Sequence, residues 1–342
     1  MRQSLVLALC LAFGGIEGCS STGPGGPGRT DGGQHDTGSG DAPSDTGSTD
    51  GAPLDARGGD SDAAGGDGAS SSTDGGPYDA AAGAIPCKRG LAYGQNSLAD
   101  LTALRPAVVW WYNWAYVPDP AVRDGSYRAL GIEYVPMIWG GSFDGAAATA
   151  GIPDGATTLL GFNEPNFGSQ ANLSAAAAAA LWPEVEQVAD AKGLALVSPA
   201  VNFCGGNCQD TDPFHYLDTF FAACTGCRVD KVAFHIYVGC HPGGAHAAQY
   251  LINHLTTYEE RFTQPLWLTE FACTDATSFA DQIAFMQDAV AHLEVDARVE
   301  RYAWFSGRFS GIPYVDLLGA DGQLTTLGQA YVNAPANPDC HP

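Results

Sequence analysis

A single (β/α)8 barrel of the TIM type, preceded by a disordered acidic linker, is the fold this sequence predicts. Three observations carry the prediction. The segment from Cys87 to Pro342 is the usual size of such a barrel. Eight short apolar runs recur through it with helical stretches between several of them, the pattern of a parallel sheet. The runs end in carboxylates, amides and aromatic rings, and in a barrel such ends gather on one face. No Gly-rich phosphate loop follows the first run, which argues against a doubly wound open sheet.

Residues 1–19 read as a signal peptide of lipoprotein type. Met1 to Ser4 is a short positive start, and Leu5 to Gly15 is an apolar run too short to span a bilayer. The stretch Ile16-Glu17-Gly18-Cys19 resembles a bacterial lipoprotein processing site, with Cys19 as the lipid anchor. The expected location is therefore the bacterial outer membrane or cell surface, with plain secretion as the alternative. Residues 20–86 hold eleven Asp, two Arg and no Lys or Glu, with Tyr78 as the one aromatic. Such a segment buries too little apolar surface to offset its conformational entropy and reads as a self-repelling tether. Its acidic spacing fits no EF-hand loop.

The formal net charge is −23, and residues 87–342 keep an excess, with 26 Asp and Glu against 12 Lys and Arg. An acidic surface repels phosphate backbones, which excludes nucleic acid as a partner and suits a neutral substrate. Beyond the leader there are eight cysteines: Cys87, Cys204, Cys208, Cys224, Cys227, Cys240, Cys273 and Cys340. Cys204-x3-Cys208 and Cys224-x2-Cys227 resemble zinc half-sites, but an exported chain favours disulfides, and 105 pairings are open. Cys87 and Cys340 bracket the domain and suggest a terminal staple. No metal and no organic cofactor is expected.

The eight strand-like runs are Lys88–Tyr93, Ala107–Trp114, Glu133–Trp139, Thr157–Glu164, Ala195–Asn202, Val229–Tyr237, Gln264–Ala272 and Val299–Ser306. Leu173–Lys192 is the clearest helix, with an Ala-rich core and Gly193 as its stop; Ala248–Phe262 and Ser278–Leu293 follow. A weaker helix is expected near Val117–Leu130. Trp110 and Trp111 are adjacent in a strand and must point to opposite faces.

The chemistry gathers at the run ends. The fourth run ends in Asn163-Glu164 before Pro165, which lacks the amide hydrogen needed to continue a central strand. The seventh carries Glu270. Two carboxylates across a barrel mouth are what glycosidic hydrolysis needs, with Glu164 as acid/base and Glu270 as nucleophile. A spacing of about 5–5.5 Å gives retention and one of about 6.5–9.5 Å inversion, and a narrow barrel favours the shorter. The close pair is expected to raise the pKa of the acid. Trp114, Trp139, Tyr237 and Trp304 are candidate sugar-stacking residues, and Asn163, Asn202 and His235 candidate polar contacts.

These ends resemble a known family. Asn163-Glu164-Pro165 and Thr269-Glu270-Phe271 look like the catalytic pattern of the clan of retaining (β/α)8 glycosidases. Arg89-Gly90-Leu91-Ala92-Tyr93, Tyr112-Asn113-Trp114, Tyr134 to Trp139, Gly161 to Asn166, Ser198-Pro199-Ala200, His235-Ile236-Tyr237, Trp267 to Phe271 and Tyr302 to Phe305 resemble glycoside hydrolase family 128. The resemblance implies a β-1,3-glucanase, mostly endo-acting, with the fourth-strand Glu as acid/base, the seventh-strand Glu as nucleophile, and Asn163 on the substrate 2-hydroxyl. The partner expected is β-1,3-glucan, for a monomeric enzyme touching membrane only through its anchor. The alternatives are a hydrolase of another β-glycan from the same clan, or a surface glucan-binding protein without turnover.

Overall fold

Eight parallel strands close into a ring with helices outside, in a computed structural model that describes residues 85–342 apart from 106, 241–245, 338–339 and 342. The expected signal peptide, the Cys19 anchor and nearly all of the 20–86 linker lie outside the described residues. The strands are β1 Arg89–Ala92, β2 Trp110–Tyr112, β3 Glu133–Tyr134, β4 Thr158–Leu160, β5 Ala195–Val197, β6 Val232–Val238, β7 Leu266–Cys273 and β8 Val299–Trp304. Six pair in the order β3-β2-β1-β8-β7-β6, and β4 pairs with β5. Single bridges join the two sets: Met137 with Leu160, and Val197 with Lys231 and Val201 with Phe234. The ring is thereby complete, as the barrel prediction requires.

The regular ladders are shorter than the apolar runs of the sequence. Trp139, Glu164, Asn202 and Ser306 all lie beyond them, in the segments that leave the sheet. The helices are α1 Leu98–Leu104, α2 Gly145–Gly151, α3 Ala175–Lys192, α4 Pro213–Ala223, α5 Gln249–Arg261, α6 Phe279–Val295 and α7 Thr326–Asn333. Side-chain oxygens of Ser174, Asp212, Ser278 and Thr325 cap four of them, and Gly193 ends α3 with a φ of 66°. Between β2 and β3 the expected helix is absent. Two 3-10 segments, Pro120–Val122 and Ser126–Leu130, stand in its place, because Gly125 and Gly131 adopt left-handed φ values that break an α-helix on both sides.

The lower half of the barrel interior is aromatic and cationic. Trp110 and Trp267 lie 5.2 Å apart, and the Arg301 guanidinium sits 4.8 Å from the Trp267 ring while pairing with Glu133 across the barrel. Gly90 makes room for this layer: a Cβ there would fall 2.3 Å from the Trp110 ring. Trp111 points the other way, against Tyr127 and Tyr134. Outside the sheet, Phe271, Phe285, Trp304 and Tyr331 pack strands on α6 and α7.

All eight cysteines of the domain are bonded: Cys87–Cys340, Cys204–Cys208, Cys224–Cys227 and Cys240–Cys273. The terminal staple is present, and the two zinc-like spacings are local disulfides. Cys240–Cys273 ties the exits of β6 and β7 three residues beyond Tyr237 and Glu270.

Candidate active site

Glu270 owes its direction to a bulge. Phe234 pairs with Leu268 but His235 pairs with Glu270, so Thr269 is an extra residue in β7. In an unbroken strand Trp267 and Glu270, three apart, would face opposite sides. With the bulge both face the barrel interior, Trp267 in the lower layer and Glu270 at the mouth. Glu164 is placed by a different device. Its φ is +39°, its N–H donates to Ala200 O at 2.8 Å, and its C=O accepts from Phe167 N at 2.9 Å. A left-handed, pre-proline glutamate is a strained residue held by its surroundings.

The two carboxylates meet across His235. Both are buried, at 2% and 3% exposure. His235 Nδ1 lies 2.9 Å from Glu164 Oε1 and 3.4 Å from Glu270 Oε2. One oxygen of Glu164, one of Glu270 and a ring nitrogen of His235 lie within 4.8 Å of one another. So close an approach lies nearer the short regime, about 5–5.5 Å between carboxyl groups, than the one that leaves room for a water between them. Three such atoms could also face a cation, but they are already engaged. His235 bridges both acids, and Glu270 accepts from Tyr112 Oη at 2.7 Å, Trp114 Nε1 at 2.8 Å and the Tyr237 hydroxyl.

Burial pushes the Glu270 carboxyl above the ordinary carboxylate range. His235 opposes the rise, Glu164 adds to it, and the hydroxyls of Tyr237 and Tyr112 oppose it again. Burial also works against an imidazolium at His235, but Glu270 and Glu164 outweigh it and its pKa is raised. Tyr112 and Tyr237, buried beside Glu270, are pushed far up and stay neutral donors.

The other candidates divide. Trp114 is half-buried with φ +58° and bonds Glu270 directly. Trp139 is half-buried, and its Nε1, like Asn163 Oδ1, is buried without a partner among the described residues. Asn163 Nδ2 donates weakly to Gln170 Oε1 at 3.4 Å. Asn202 stands at the β5 exit, where its C=O accepts from Asn166 Nδ2 at 2.7 Å, joining the loops after β4 and β5. Trp304 does not join the group. It is fully buried, donates to Val315 O at 2.9 Å, and lies in the layer between β8 and α6–α7. The inward Arg301 three residues earlier sets this: with period two, Trp304 points outward. Tyr112 is the residue the sequence reading left without a role. Its signal was alternation, since Trp110, Tyr112 and Trp114 share one parity.

Residues 90–331 match the family described as "Glycosyl hydrolase catalytic core". An endo-β-1,3-glucanase of glycoside hydrolase family 128, subgroup II, from Sorangium cellulosum is 63% identical, covering 73% of this chain and 99% of its own, with a TM-score of 0.72. A subgroup I endo-β-1,3-glucanase from Amycolatopsis mediterranei in complex with laminaritriose is 33% identical, covering 73% of this chain and 100% of its own, with a TM-score of 0.58. Alkali-sensitive linkage protein 1 of Schizosaccharomyces pombe is 27% identical over 263 residues, 72% of this chain, and the match spans 44% of that longer protein. The chain belongs to glycoside hydrolase family 128, within the glycosyl hydrolase catalytic-core family.

Proposed function

We infer that this protein is a retaining endo-β-1,3-glucanase working by double displacement, with Glu164 as acid/base and Glu270 as nucleophile. One observation carries the reading: two buried carboxylates within 4.8 Å, bridged by His235, at the mouth of a barrel 63% identical to an endo-β-1,3-glucanase. In the first step Glu270 attacks the anomeric carbon while Glu164 gives its proton to the departing glycosidic oxygen. In the second, Glu164 takes a proton from water, the water oxygen attacks the same carbon, and Glu270 leaves as carboxylate. Two inversions return the original configuration.

The surrounding residues support each role. Tyr112, Trp114 and Tyr237 donate to Glu270 and stabilise it as the charged leaving group. His235 Nδ1 lies between both acids, 2.9 Å from Glu164 Oε1 and 3.4 Å from Glu270 Oε2, and holds the two carboxyls beside each other. Asn163 Oδ1 and Trp139 Nε1 have no partner among the described residues, which supports them as contacts for sugar hydroxyls. Asn202, His235 and Tyr237 complete the proposed contact set, and Trp304 is left to the core.

Four disulfides fit folding in an oxidising compartment. We propose export with lipid attachment at Cys19 and a monomeric enzyme. Loss of metabolic fatty-acid labelling in Cys19→Ser would support the anchor, and unchanged labelling would remove it.

The test of mechanism is a proton NMR time course on soluble β-1,3-glucan. The β-anomer should appear first, and Glu270→Gln should fold yet give no product. Early α-anomer would overturn retention, and an active, folded Gln variant would overturn the nucleophile assignment. Binding of β-1,3-glucan without cleavage would favour the glucan-binding alternative. Cleavage of a different β-glycan alone would replace the substrate.

A further inference from the structure

Asp119 is almost fully enclosed, at 3% exposure, in the segment between β2 and β3. It stands just before the 3-10 segment Pro120–Val122, where an aspartate ordinarily caps, yet its side chain makes no cap bond. The carboxylate turns instead to the exits of β1 and β2. Oδ1 accepts from Gln95 N and Asn113 Nδ2, both at 2.9 Å. Oδ2 accepts from Asn96 N at 3.0 Å and Asn96 Nδ2 at 3.2 Å.

We propose that Asp119 is a positioning residue for the nucleophile: it acts through Asn113 to hold the turn from which Trp114 donates to Glu270. The proposal rests on the glucanase reading above and deepens it.

The chain of contacts is short. Asn113 Oδ1 accepts from Ala115 N at 3.2 Å, and Asn113 Nδ2 donates to Val117 O at 3.1 Å as well as to Asp119. The amide of Asn113 thus grips the chain on the far side of Trp114. A carboxylate only accepts, so Asp119 decides which end of that amide faces it. With Nδ2 turned to Asp119, Oδ1 is left to face Ala115 N. Tyr134 closes the same turn from β3, its hydroxyl 2.6 Å from Asn113 Oδ1, 2.6 Å from Ala115 O and 2.7 Å from Val117 O. Burial first, and Asp119 next, push that hydroxyl's pKa well up, so it stays a neutral donor.

Strain marks the same place. Gln95 and Trp114 have φ values of +68° and +58°. Gln95 gives Asp119 its own N–H, and Asn113 is the residue before Trp114. Such conformations persist only where the surroundings over-determine them. One carboxylate supplies fixing contacts at both.

The groups facing Glu270 are Tyr112 and Trp114 from β2 and its exit, Glu164 from beyond β4, and His235 and Tyr237 from β6. Tyr112, His235 and Tyr237 stand in strands. Trp114 stands on a turn, so its bond to Glu270 depends on what holds that turn.

The experiment compares the full chain with Asp119→Asn, Trp114→Phe and the double variant, by rate on soluble β-1,3-glucan across pH and by proton–nitrogen NMR of the indole groups. Asp119→Asn keeps the shape but puts an amide NH2 among donors. It should lower kcat/KM about tenfold, as for a displaced hydrogen bond to a charged group, and move the acidic limb of the pH–rate profile to higher pH. The Trp114 indole signal, identified by its loss in Trp114→Phe, should shift and exchange faster with water. The double variant should be no slower than Trp114→Phe, because both changes remove the same bond. A folded Asp119→Asn whose acidic limb and indole signal stay as in wild type would overturn the positioning role, whatever its rate. Rate losses that multiply in the double variant would overturn it too. Where Asp119→Asn melts below the assay temperature, Asn113→Ser cuts the link alone and should move the limb in the same direction; an unmoved limb would overturn the role. A wild type that cleaves no β-1,3-linked chain would overturn the glucanase reading, and the indole signal would still decide whether Asp119 holds Trp114.

Discussion

Trp114 donates its indole N–H to Glu270 Oε1 at 2.8 Å, and it does so from a backbone with a φ of +58°. A bulky residue reaches that conformation only where its surroundings insist on it. Asn113 next to it is tied to Asp119, and Tyr112 before it bonds the same carboxylate oxygen. Two donors from one strand end thus converge on one oxygen of the buried Glu270.

Trp114→Phe keeps the ring and deletes the donor. A hydrogen bond to a charged group contributes roughly 1.5–3 kcal/mol, so kcat/KM should fall roughly 10- to 100-fold. The lost donor favoured the ionised carboxylate, so its removal raises a pKa that burial already raises. The acidic limb of the pH–rate profile should move to higher pH. A limb that stays in place while the rate falls would mean Trp114 acts through shape alone.

Gly90 pairs with Trp110 on one side and Ala303 on the other, in the middle of the barrel wall. Gly90→Ala should cost about 3 kcal/mol, because the new methyl meets the Trp110 ring where neighbouring Trp267 and Arg301 leave it no room to move. Urea unfolding measures this; a loss under about 1 kcal/mol would mean that the aromatic layer is looser than its contacts imply.

Asp100 is buried in the first turn of α1, where it pairs with Arg308 and accepts from Gly322 N at 2.8 Å. Burial works to raise its pKa, but Arg308 and the amides of Gly322 and Ser97 outweigh it, and the carboxyl is held below its usual range. The sign follows from the depressed folded value. Its contribution is full above the unfolded pKa and is lost as pH falls through the folded one. Asp100→Asn should therefore destabilise by roughly 3 kcal/mol at pH 7, with the gap to wild type closing as pH drops below about 4. Parallel denaturation series at pH 7 and pH 3 check this, and an equal gap at both would show that charge is not the cause.

Much of the site was legible before folding. Pro165 ends a central strand wherever it stands, so Glu164 had to leave the sheet there. The parity of Trp110 and Trp111 forced them to opposite faces. Cys87 and Cys340, at the two ends of the domain, suggested their bond by position. The expected helix near Val117–Leu130 failed because its glycines adopt left-handed turns, which composition alone does not reveal.

The sequence by itself determined where apolar runs give way to polar exits, and hence that two glutamates would stand at one mouth among amides and aromatic rings. That follows from local chemistry: apolar runs bury, proline and glycine break, and period two sorts neighbours to opposite faces. Only the tertiary structure decided where those side chains aim. The bulge at Thr269 turns Glu270 inward because β6 and β7 pair out of step. Parity counted from Arg301, whose partner Glu133 is 168 residues away in sequence, turns Trp304 outward. The pKa of Glu270 is raised by burial in the closed mouth and by Glu164, against the opposing pull of His235, Tyr237 and Tyr112. Direction, burial and charge depend on neighbours distant in sequence, and those exist only once the barrel has closed.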